Sequence, residues 1–486
     1  MAQRLAELEP HLVFKYFEEI SNIPRESGDE KAISDHMVAF ANNLGLEVIQ
    51  DEVYNIIIKK PATKGYENAP VVILQGHLDM VCEKEVNRDH DFKKDPLDLY
   101  VDGDLIRARG TTLGADNGAA IAYQMAVLAS DNLEHPALEA LMTIDEERGM
   151  TGVANMHPEH FEGKILLNLD TEEEGEFYVS CAGGVRTQLK LDYTSNKPNP
   201  QLEFYKIRVE GLQGGHSGAE IHLERANATV LMGRLLNAIQ DEIEFELGSV
   251  EGGSKDNVIP RETQAVIGIS KNDQAAVTDI IQKWNKIFTN EFRVQDPDVK
   301  VIMEAVGTDH VEYVLPKDIK EKAISILVLH PNGIEAMSMD VEGLVETSLN
   351  IGIVKTASDH MIFSSALRSS VPSRKELLVS KVESLGKFVG AEFSKVSDYP
   401  AWVYEPNSPI RDLAISVYEK MYGVAPVIQA IHAGLECGFI SEKLPGVDMI
   451  SFGPNIRGAH TPEENLSISS TKNVWEFLVA LLKNIK

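Results

Sequence analysis

A short apolar run that ends in a histidine and an aspartate constrains the fold of this chain more than any other feature. Residues 71–80 read VVILQGHLDM, and the run before Gly76 is short, rich in β-branched residues and uncharged, as is typical of a buried strand. His77 and Asp79 follow at its carboxyl end, where open α/β sheets bind their ligands. Two residues apart on an extended chain, they point to the same side, so Asp79 could orient His77 toward a metal ion. Taken alone, the pair is also compatible with a core histidine beside an incidental acid.

Two later apolar runs also end in carboxylates. Residues 137–144 precede Asp145, Glu146 and Glu147, and residues 165–169 precede Asp170. Acids placed directly after a buried strand are costly unless they are paired or solvated. Each group is therefore either a solvated turn or part of a site that contains a metal ligand and a general base.

A Gly-bounded turn and a late loop supply two further candidates. Asp116 lies in residues 111–118, before an Ala-rich helix predicted over 119–130, and is either a helix cap or a metal ligand. His460 lies in a Gly/Pro loop past a strand predicted over 448–452, just as His77 follows its own strand. The alternation of strands and helices predicts a largely parallel sheet flanked by helices.

The pattern changes near residue 186, and the earlier pattern returns after Pro400. Residues 187–397 contain alternating strands and helices, which predict an α+β domain inserted into an α/β catalytic domain formed by residues 1–186 and 398–486. The insert includes a Gly-rich GGHSG segment around His216.

Composition argues against several classes of function. A hydrophobic fraction of 43% and a charged fraction of 25% are ordinary for a soluble globular protein. The net charge of −29 argues against non-specific nucleic-acid binding, and no apolar stretch is long enough to span a bilayer. Residues 1–7 lack the apolar region of a secretory signal. The three cysteines show neither metal-ligand nor disulfide spacing, so a reducing cytoplasm is the expected location.

The candidate side chains suit metal-assisted hydrolysis. Histidines and carboxylates without cysteine favour Zn, Mn or Co. Five ligands exceed what one catalytic zinc needs, and with one bridging carboxylate they fit two metals about 3.5–4 Å apart. A nearby carboxylate that is not a ligand would take the proton of a metal-bound water, and Glu146 is the candidate. The sequence contains no G-x-S-x-G elbow, and neither G-x-G-x-x-G nor a P-loop follows a strand.

Taken together, these motifs resemble those of the cocatalytic zinc peptidases, the family that includes carnosinases, peptidase T and glutamate carboxypeptidases. The resemblance rests on HLD at 77–79, GADNG at 114–118, DEE at 145–147, Asp170, GGHSG at 214–218 and GAH at 458–460. The stretches RGTTLGADNG at 109–118, CAGG at 181–184 and IHAGLECG at 431–438 are closer still to the dipeptidase branch of that family. The resemblance covers essentially the whole chain.

The resemblance implies a metal site with two Zn²⁺ per subunit, for which Mn²⁺ or Co²⁺ could substitute. It implies the following roles: His77 and Asp170 bind one zinc, Glu147 and His460 bind the other, Asp116 bridges them with a cis peptide to Asn117, Asp79 orients His77, and Glu146 is the general base. It also implies that the inserted domain is a lid and that the protein is a homodimer.

Four further residues are candidates for binding the substrate. His216 would stabilise the oxyanion or hold the terminal carboxylate, within its own subunit or across to a partner, unless it only makes a turn hydrogen bond. Arg368 would pair with the substrate's carboxylate, or it is a solvated surface arginine. Asn257 would bind a substrate carbonyl or fix the turn before Pro260. Glu436 would receive the substrate's free amine or brace its loop.

The function that the resemblance implies is cytoplasmic hydrolysis of unblocked dipeptides, preferably with a C-terminal histidine and including carnosine. The sequence itself shows no pocket selective for histidine. One alternative is an amidohydrolase that removes an acyl group from an N-acyl amino acid with the same metals. Another, from a different class, is a non-catalytic protein that binds metal or peptide. Neither a nucleic acid nor a membrane is an expected partner.

Overall fold

The computed structural model describes residues 5, 7–307 and 310–486, so most of the segment 1–7, where no secretory signal is expected, lies outside the described residues. The helices are, in chain order, α1 (His11–Ile20), α2 (Lys31–Leu44), α3 (Ala115–Ala129), α4 (Glu146–Gly149), α5 (Thr151–Asn155), α6 (Ala228–Gln240), α7 (Gln274–Glu291), α8 (Lys317–Leu329), α9 (Pro372–Val389), α10 (Pro409–Tyr422), α11 (Cys437–Lys443) and α12 (Ile468–Asn484). Within the described ranges, none of them has the length and apolar character needed to cross a bilayer.

The strands are, in chain order, β1 (Glu47–Gln50), β2 (Ile56–Lys60), β3 (Val72–His77), β4 (Leu99–Asp102), β5 (Leu105–Ala108), β6 (Leu138–Thr143), β7 (Ile165–Asn168), β8 (Glu176–Cys181), β9 (Gly183–Asp192), β10 (Glu203–Glu210), β11 (Gly215–His216), β12 (Glu246–Gly252), β13 (Val258–Ile259), β14 (Thr263–Ile269), β15 (Lys300–Val306), β16 (Gly333–Met337), β17 (Val345–Thr356), β18 (His360–Ser369), β19 (Glu392–Tyr399), β20 (Val427–Ile431), β21 (Asp448–Ser451), β22 (Ile456–Arg457) and β23 (Asn465–Ser467).

The chain divides into two compact units. The first comprises Met1–Ser180, Tyr404–Ala430 and Leu435–Lys486, and the second comprises Cys181–Val403 and Ile431–Gly434. The boundaries predicted from the sequence, 186/187 and 397/398, each lie six residues from the boundaries between these two units. The grouping of residues 431–434 with the inserted unit was not predicted.

The first unit is built on an eight-stranded sheet with the order β1-β2-β6-β3-β7-β21-β8-β20. The four central strands β6, β3, β7 and β21 are parallel, whereas β1 and β2 pair antiparallel at one side and β8 pairs antiparallel with β21 at the other. The predicted parallel arrangement is therefore confined to the centre of the sheet. Every residue of β3 and β6 is buried, as expected of strands that are covered on both faces.

The central strands bring the candidate residues to one edge of the sheet. His77 of β3 lies opposite Thr143 of β6, and Gln75 lies opposite Asn168 of β7. Because these strands are parallel, the segments that follow them leave the sheet on the same side. The loops carrying Glu146, Glu147 and Asp170 thus begin beside His77.

The second unit is built on a nine-stranded sheet with the main order β15-β10-β14-β12-β17-β18-β9-β19, and β16 pairs with β17. Each of these pairs is antiparallel. Apolar side chains of α6 to α9 and of the strands form its core. The predicted fold class, an α/β domain with an inserted α+β domain, is confirmed.

Candidate active site

His77 lies at the end of β3 and is 1% exposed. Its Nδ1 atom is 3.3 Å from Asp79 Oδ1, while its Nε2 atom is 3.1 Å from Asp116 Oδ1 and 3.6 Å from Asp170 Oδ1. Burial alone would lower the pKa of His77, but the surrounding carboxylates raise it well above its usual value. The ring thus has one aspartate at Nδ1 and presents Nε2 to two others, as a metal-binding histidine does.

Asp116 lies between two histidines and offers one oxygen to each. Its Oδ1 atom faces His77, and its Oδ2 atom is 3.1 Å from Nε2 of His460, which is in turn 3.0 Å from Glu147 Oε1. The peptide bond from Asp116 to Asn117 is cis, which confirms that expectation. A carboxylate placed in this way has the geometry needed to bridge two metal ions.

The possible ligand atoms fall into three overlapping groups in which all atoms lie within 4.8 Å of one another: His77 with Asp116 and Asp170; His77 with Glu146 and Glu147; and Asp116 with Glu147 and His460. Burial, followed by the charges of neighbouring acids, raises the pKa of Glu146 and of Asp170 well above the usual carboxyl value. Carboxylates crowded in this way are stabilised by positive charge. The donor set, which contains nitrogen and oxygen but no sulfur, therefore fits divalent cations such as Zn²⁺.

Asp79 joins His77 to the segment that carries the two glutamates. Its carboxylate accepts hydrogen bonds from Ser27 Oγ at 2.7 Å, from the Glu146 amide at 3.1 Å and from the Glu147 amide at 3.3 Å. Although burial opposes ionisation, the hydrogen bond with His77 and the imidazole charge keep the pKa of Asp79 below its usual value. One ionised side chain therefore orients a ring and a backbone turn together.

Sequence reasoning missed the side chain that satisfies the start of α3. Glu464, which is 2% exposed, accepts hydrogen bonds from the amides of four successive residues, Leu113 to Asp116, at 2.7–3.3 Å. No side chain caps α3 locally, so the alternative in which Asp116 is a helix cap is wrong. No local sequence signal identifies Glu464, because it lies 348–351 residues away from its partners.

Arg25 is a second supporting residue of the site that was not predicted from the sequence. Its guanidinium is buried and donates to the carbonyls of Leu78, Asp79 and Gly114 at 2.5–3.1 Å. It thereby links the end of β3 to the turn before Asp116. Burial lowers the pKa of Arg25, whereas the charges of Glu464, Asp79 and Asp116 raise it.

Removal of the Glu464 carboxylate is expected to destabilise the protein. Glu464→Ala leaves four backbone amides, three of them buried, without their acceptor, so we expect the free energy of unfolding to fall by about 3 kcal/mol or more. Denaturant unfolding monitored by circular dichroism measures this change. The matched control is Glu463→Ala, because the Glu463 side chain is 83% exposed and should change stability by less than about 0.5 kcal/mol. Equal losses in the two variants would contradict the role given to Glu464.

The second unit holds the GGHSG segment. His216 Nδ1 accepts hydrogen bonds from the amides of Gly218 at 3.2 Å and Ala219 at 3.0 Å, so the turn hydrogen bond considered from the sequence is present. This bonding leaves the Nε2 position of a neutral ring to carry the proton. Burial and the charge of Arg368 lower the pKa of His216. The carbonyl of Asn257 accepts the Ser217 amide at 2.9 Å, which places Asn257 beside this turn.

Arg368 lies on β18 in the second unit and is only 9% exposed, so the alternative of a solvated surface arginine is wrong. It donates to the Tyr399 hydroxyl at 3.0 Å, and its buried Nε has no hydrogen-bond partner within the described ranges. His432, for which no role was predicted, contacts Ser348 Oγ through its Nε2 atom at 2.7 Å. Burial, with Arg368 and His216, lowers its pKa to about 3. The contacts of His216, Asn257 and Arg368 with substrate stay predictions.

Glu436 lies in the first unit and is fully buried. Its Oε2 atom accepts hydrogen bonds from Gln75 Nε2 at 2.5 Å and from Thr143 Oγ1 at 2.6 Å. Burial raises its pKa to about 7. These contacts favour the bracing alternative over the capture of a substrate amine.

Comparisons with known proteins give matches that cover most of this chain. The Peptidase family M20/M25/M40 model matches residues 73–484. The chain is 38% identical over 481 residues to the cytosol non-specific dipeptidase of Escherichia coli (strain K12), covering 99% of each chain. It matches the crystal structure of aminoacylhistidine dipeptidase from Vibrio alginolyticus with a TM-score of 0.93 and 38% identity, covering 99% of this chain and 98% of the other.

A more distant match shows likeness of fold alone. It is to aminopeptidase PepT from Bacillus cereus, with a TM-score of 0.58 and 16% identity, over 98% of this chain and 99% of the other. The family match at 73–484 spans every candidate residue from His77 to His460. The resemblance seen in the sequence is confirmed, and the chain belongs to Peptidase family M20/M25/M40.

Proposed function

We propose that this protein is a cytosolic dipeptidase that works with two zinc ions. The observation that carries the proposal is the position of Asp116, whose two oxygens face two histidines, each of which has a further carboxylate beside it. The names of the two relatives at 38% identity, a cytosol non-specific dipeptidase and an aminoacylhistidine dipeptidase, support the substrate class and the location.

The residues that would hold the metals divide into two sets with one shared member. His77 and Asp170 would hold one ion, Glu147 and His460 the other, and Asp116 would contact both. The chemistry that such a pair supplies when bound is polarisation of the peptide carbonyl and activation of a water molecule. Asp79 keeps His77 in place through its Nδ1 atom, which leaves Nε2 available as a ligand.

Glu146 is proposed as the general base. Its backbone amide is fixed by Asp79, and its side chain lies in the group with His77 and Glu147. Burial and neighbouring acids raise the pKa of Glu146 above the usual value, which makes its carboxylate a better proton acceptor. In the proposed reaction Glu146 accepts a proton from the attacking water and donates it to the amine of the leaving amino acid.

We further propose a preference for a C-terminal histidine, including that of carnosine. Zinc-loaded protein should cleave β-alanyl-histidine and alanyl-histidine, and kcat/KM for alanyl-histidine should exceed that for alanyl-alanine by about tenfold or more. N-acetylation of alanyl-histidine should abolish cleavage of its peptide bond. Release of histidine and alanine, followed by chromatography, measures each rate on the same enzyme preparation.

Each alternative predicts a different set of products. Equal kcat/KM values for alanyl-histidine and alanyl-alanine would remove the histidine preference and leave a non-specific dipeptidase. Acetate released from N-acetyl-alanine, without cleavage of any dipeptide, would replace the proposal with a deacylase. Zinc binding without either activity would indicate a metal- or peptide-binding protein. Chelated wild-type protein, which should be inactive, is the control for all three reactions.

A further inference from the structure

A chain of buried hydrogen bonds crosses the centre of the eight-stranded sheet and ends at Glu436. Ser451 Oγ donates to Asn168 Oδ1, and Asn168 Nδ2 donates to Gln75 Oε1. Gln75 Nε2 then donates to Glu436 Oε2 at 2.5 Å, and Thr143 Oγ1 donates to the same oxygen at 2.6 Å. All five side chains are 0% exposed. In this network each hydrogen bond is donated in the direction of Glu436, and Oε2 of Glu436 accepts the last two.

Three members of this network, Gln75, Thr143 and Asn168, lie on the strands that precede candidate site residues. Gln75 lies two residues before His77 on β3, and Asn168 lies two residues before Asp170. Thr143 is the last residue of β6, three residues before Glu146. The network therefore lies directly behind the edge of the sheet where the site is built.

Glu436 is set apart from the other members by its charge. Its Oε1 atom is buried and has no hydrogen-bond partner in the part of the chain that the structure describes. If Glu436 served only to accept hydrogen bonds from Gln75 and Thr143, a second oxygen would not be needed. Burying that oxygen without a hydrogen-bond partner is costly. Gln75 and Thr143, which hold Glu436, lie two residues before His77 and three residues before Glu146, so a charge on Glu436 lies close to the site.

We propose that Glu436 is a positioning residue whose carboxylate, ionised when cations occupy the site, acts behind the ligands and strengthens the binding of the two cations. This inference rests on the proposed function, because it needs a site that binds metal. A buried negative charge opposes the repulsion between two nearby cations and favours their retention. The hydrogen bonds from Gln75 and Thr143 hold this charge at a fixed place behind His77 and Asp170. Other residues that act through the ligands of metal sites commonly change metal affinity by about 10- to 100-fold.

Two substitutions separate the charge of Glu436 from its hydrogen bonds. Glu436→Gln keeps an oxygen that can accept from Gln75 and Thr143 but removes the charge. Glu436→Asp keeps the charge but is one methylene too short to retain both bonds. We expect Glu436→Gln to bind zinc about 10- to 100-fold more weakly than wild type, and Glu436→Asp to stay within about threefold of wild type.

Zinc affinity is measured by competition with a chromophoric chelator on the full-length chain, so the readout does not depend on turnover. The matched control is Glu139→Gln. Glu139 lies on β6, is 2% exposed and accepts the amides of Glu162 and Gly163. It lies four residues before Thr143, away from the edge that carries the site, so its variant should bind zinc like wild type.

The outcomes distinguish this inference from the proposed function. If the wild type binds no zinc, the proposed function fails and the inference fails with it. If the wild type binds two ions and Glu436→Gln binds them equally well, only the role of Glu436 is overturned. Should Glu436→Gln not fold, Glu436→Asp decides, because a large loss of affinity in this charged variant would show that the hydrogen bonds matter and the charge does not.

Discussion

Exchange of Glu146 for glutamine is expected to lower kcat for dipeptide hydrolysis by about 10²- to 10⁴-fold while both metal ions stay bound. Glutamine has nearly the same shape, but it cannot accept the proton of the attacking water. The backbone of residue 146 would still be held by Asp79, so the position of the segment should not change. Steady-state hydrolysis of alanyl-histidine and the zinc content of the same sample test the two halves of this prediction.

The neighbouring glutamate provides the contrast. Glu147 lies 3.0 Å from His460 Nε2, so Glu147→Gln should lose zinc as well as activity. The exposed Glu159→Gln variant should change neither quantity. If Glu146→Gln lost zinc to the same extent as Glu147→Gln, Glu146 would be a ligand and the general base would have to be sought elsewhere.

Replacement of Asp116 by alanine is expected to empty both halves of the metal site and to abolish activity. Its two oxygens lie 3.1 Å from His77 and from His460, so one substitution removes a donor from both ions. Zinc content after dialysis, measured by mass spectrometry, should fall from about two ions per chain to close to none. Activity should not return when moderate zinc is added.

His460→Ala should behave differently, because His460 belongs to only one of the two sets. We expect this variant to retain about one ion per chain. Asp102→Ala, which removes an acid that is 67% exposed in the same unit, should retain both. Retention of one tightly bound ion by Asp116→Ala would show that Asp116 does not bridge.

Much of the arrangement of the site was predictable because it follows from strand periodicity. The apolar runs that end near His77, Glu146 and Asp170 are the neighbouring strands β3, β6 and β7, and parallel pairing brings their ends together. Alternation of strands and helices predicted this parallel centre, but it could not predict the antiparallel flanks. Pairing at the flanks depends on contacts between distant segments, which a local pattern does not encode.

The residues that support the site could not be predicted either, because they too act between distant segments. Glu464 and Arg25 act on backbone groups far away in the sequence, and a single charged residue in a loop is most often solvated. Burial was equally hard to predict. Arg368 and Glu436 had surface or loop interpretations that sequence alone could not exclude, whereas the structure places both in the interior of their respective units. Among the strands of five or more residues, β8, β9, β12 and β16 were not predicted.

The loop with His460 and Glu464 also determines when the site can form during synthesis. His460 faces Asp116, and four residues later Glu464 holds the amides that lead into Asp116. Both contacts join residues 113–116 to residues 460–464, and the second unit, residues 181–403 and 431–434, is synthesised between them. A nascent chain on the ribosome therefore carries His77, Asp116 and Asp170 throughout synthesis of the second unit without the segment that completes their surroundings. The candidate site can therefore be completed only after residues 460–464 have been synthesised, which is later than the synthesis of the second unit.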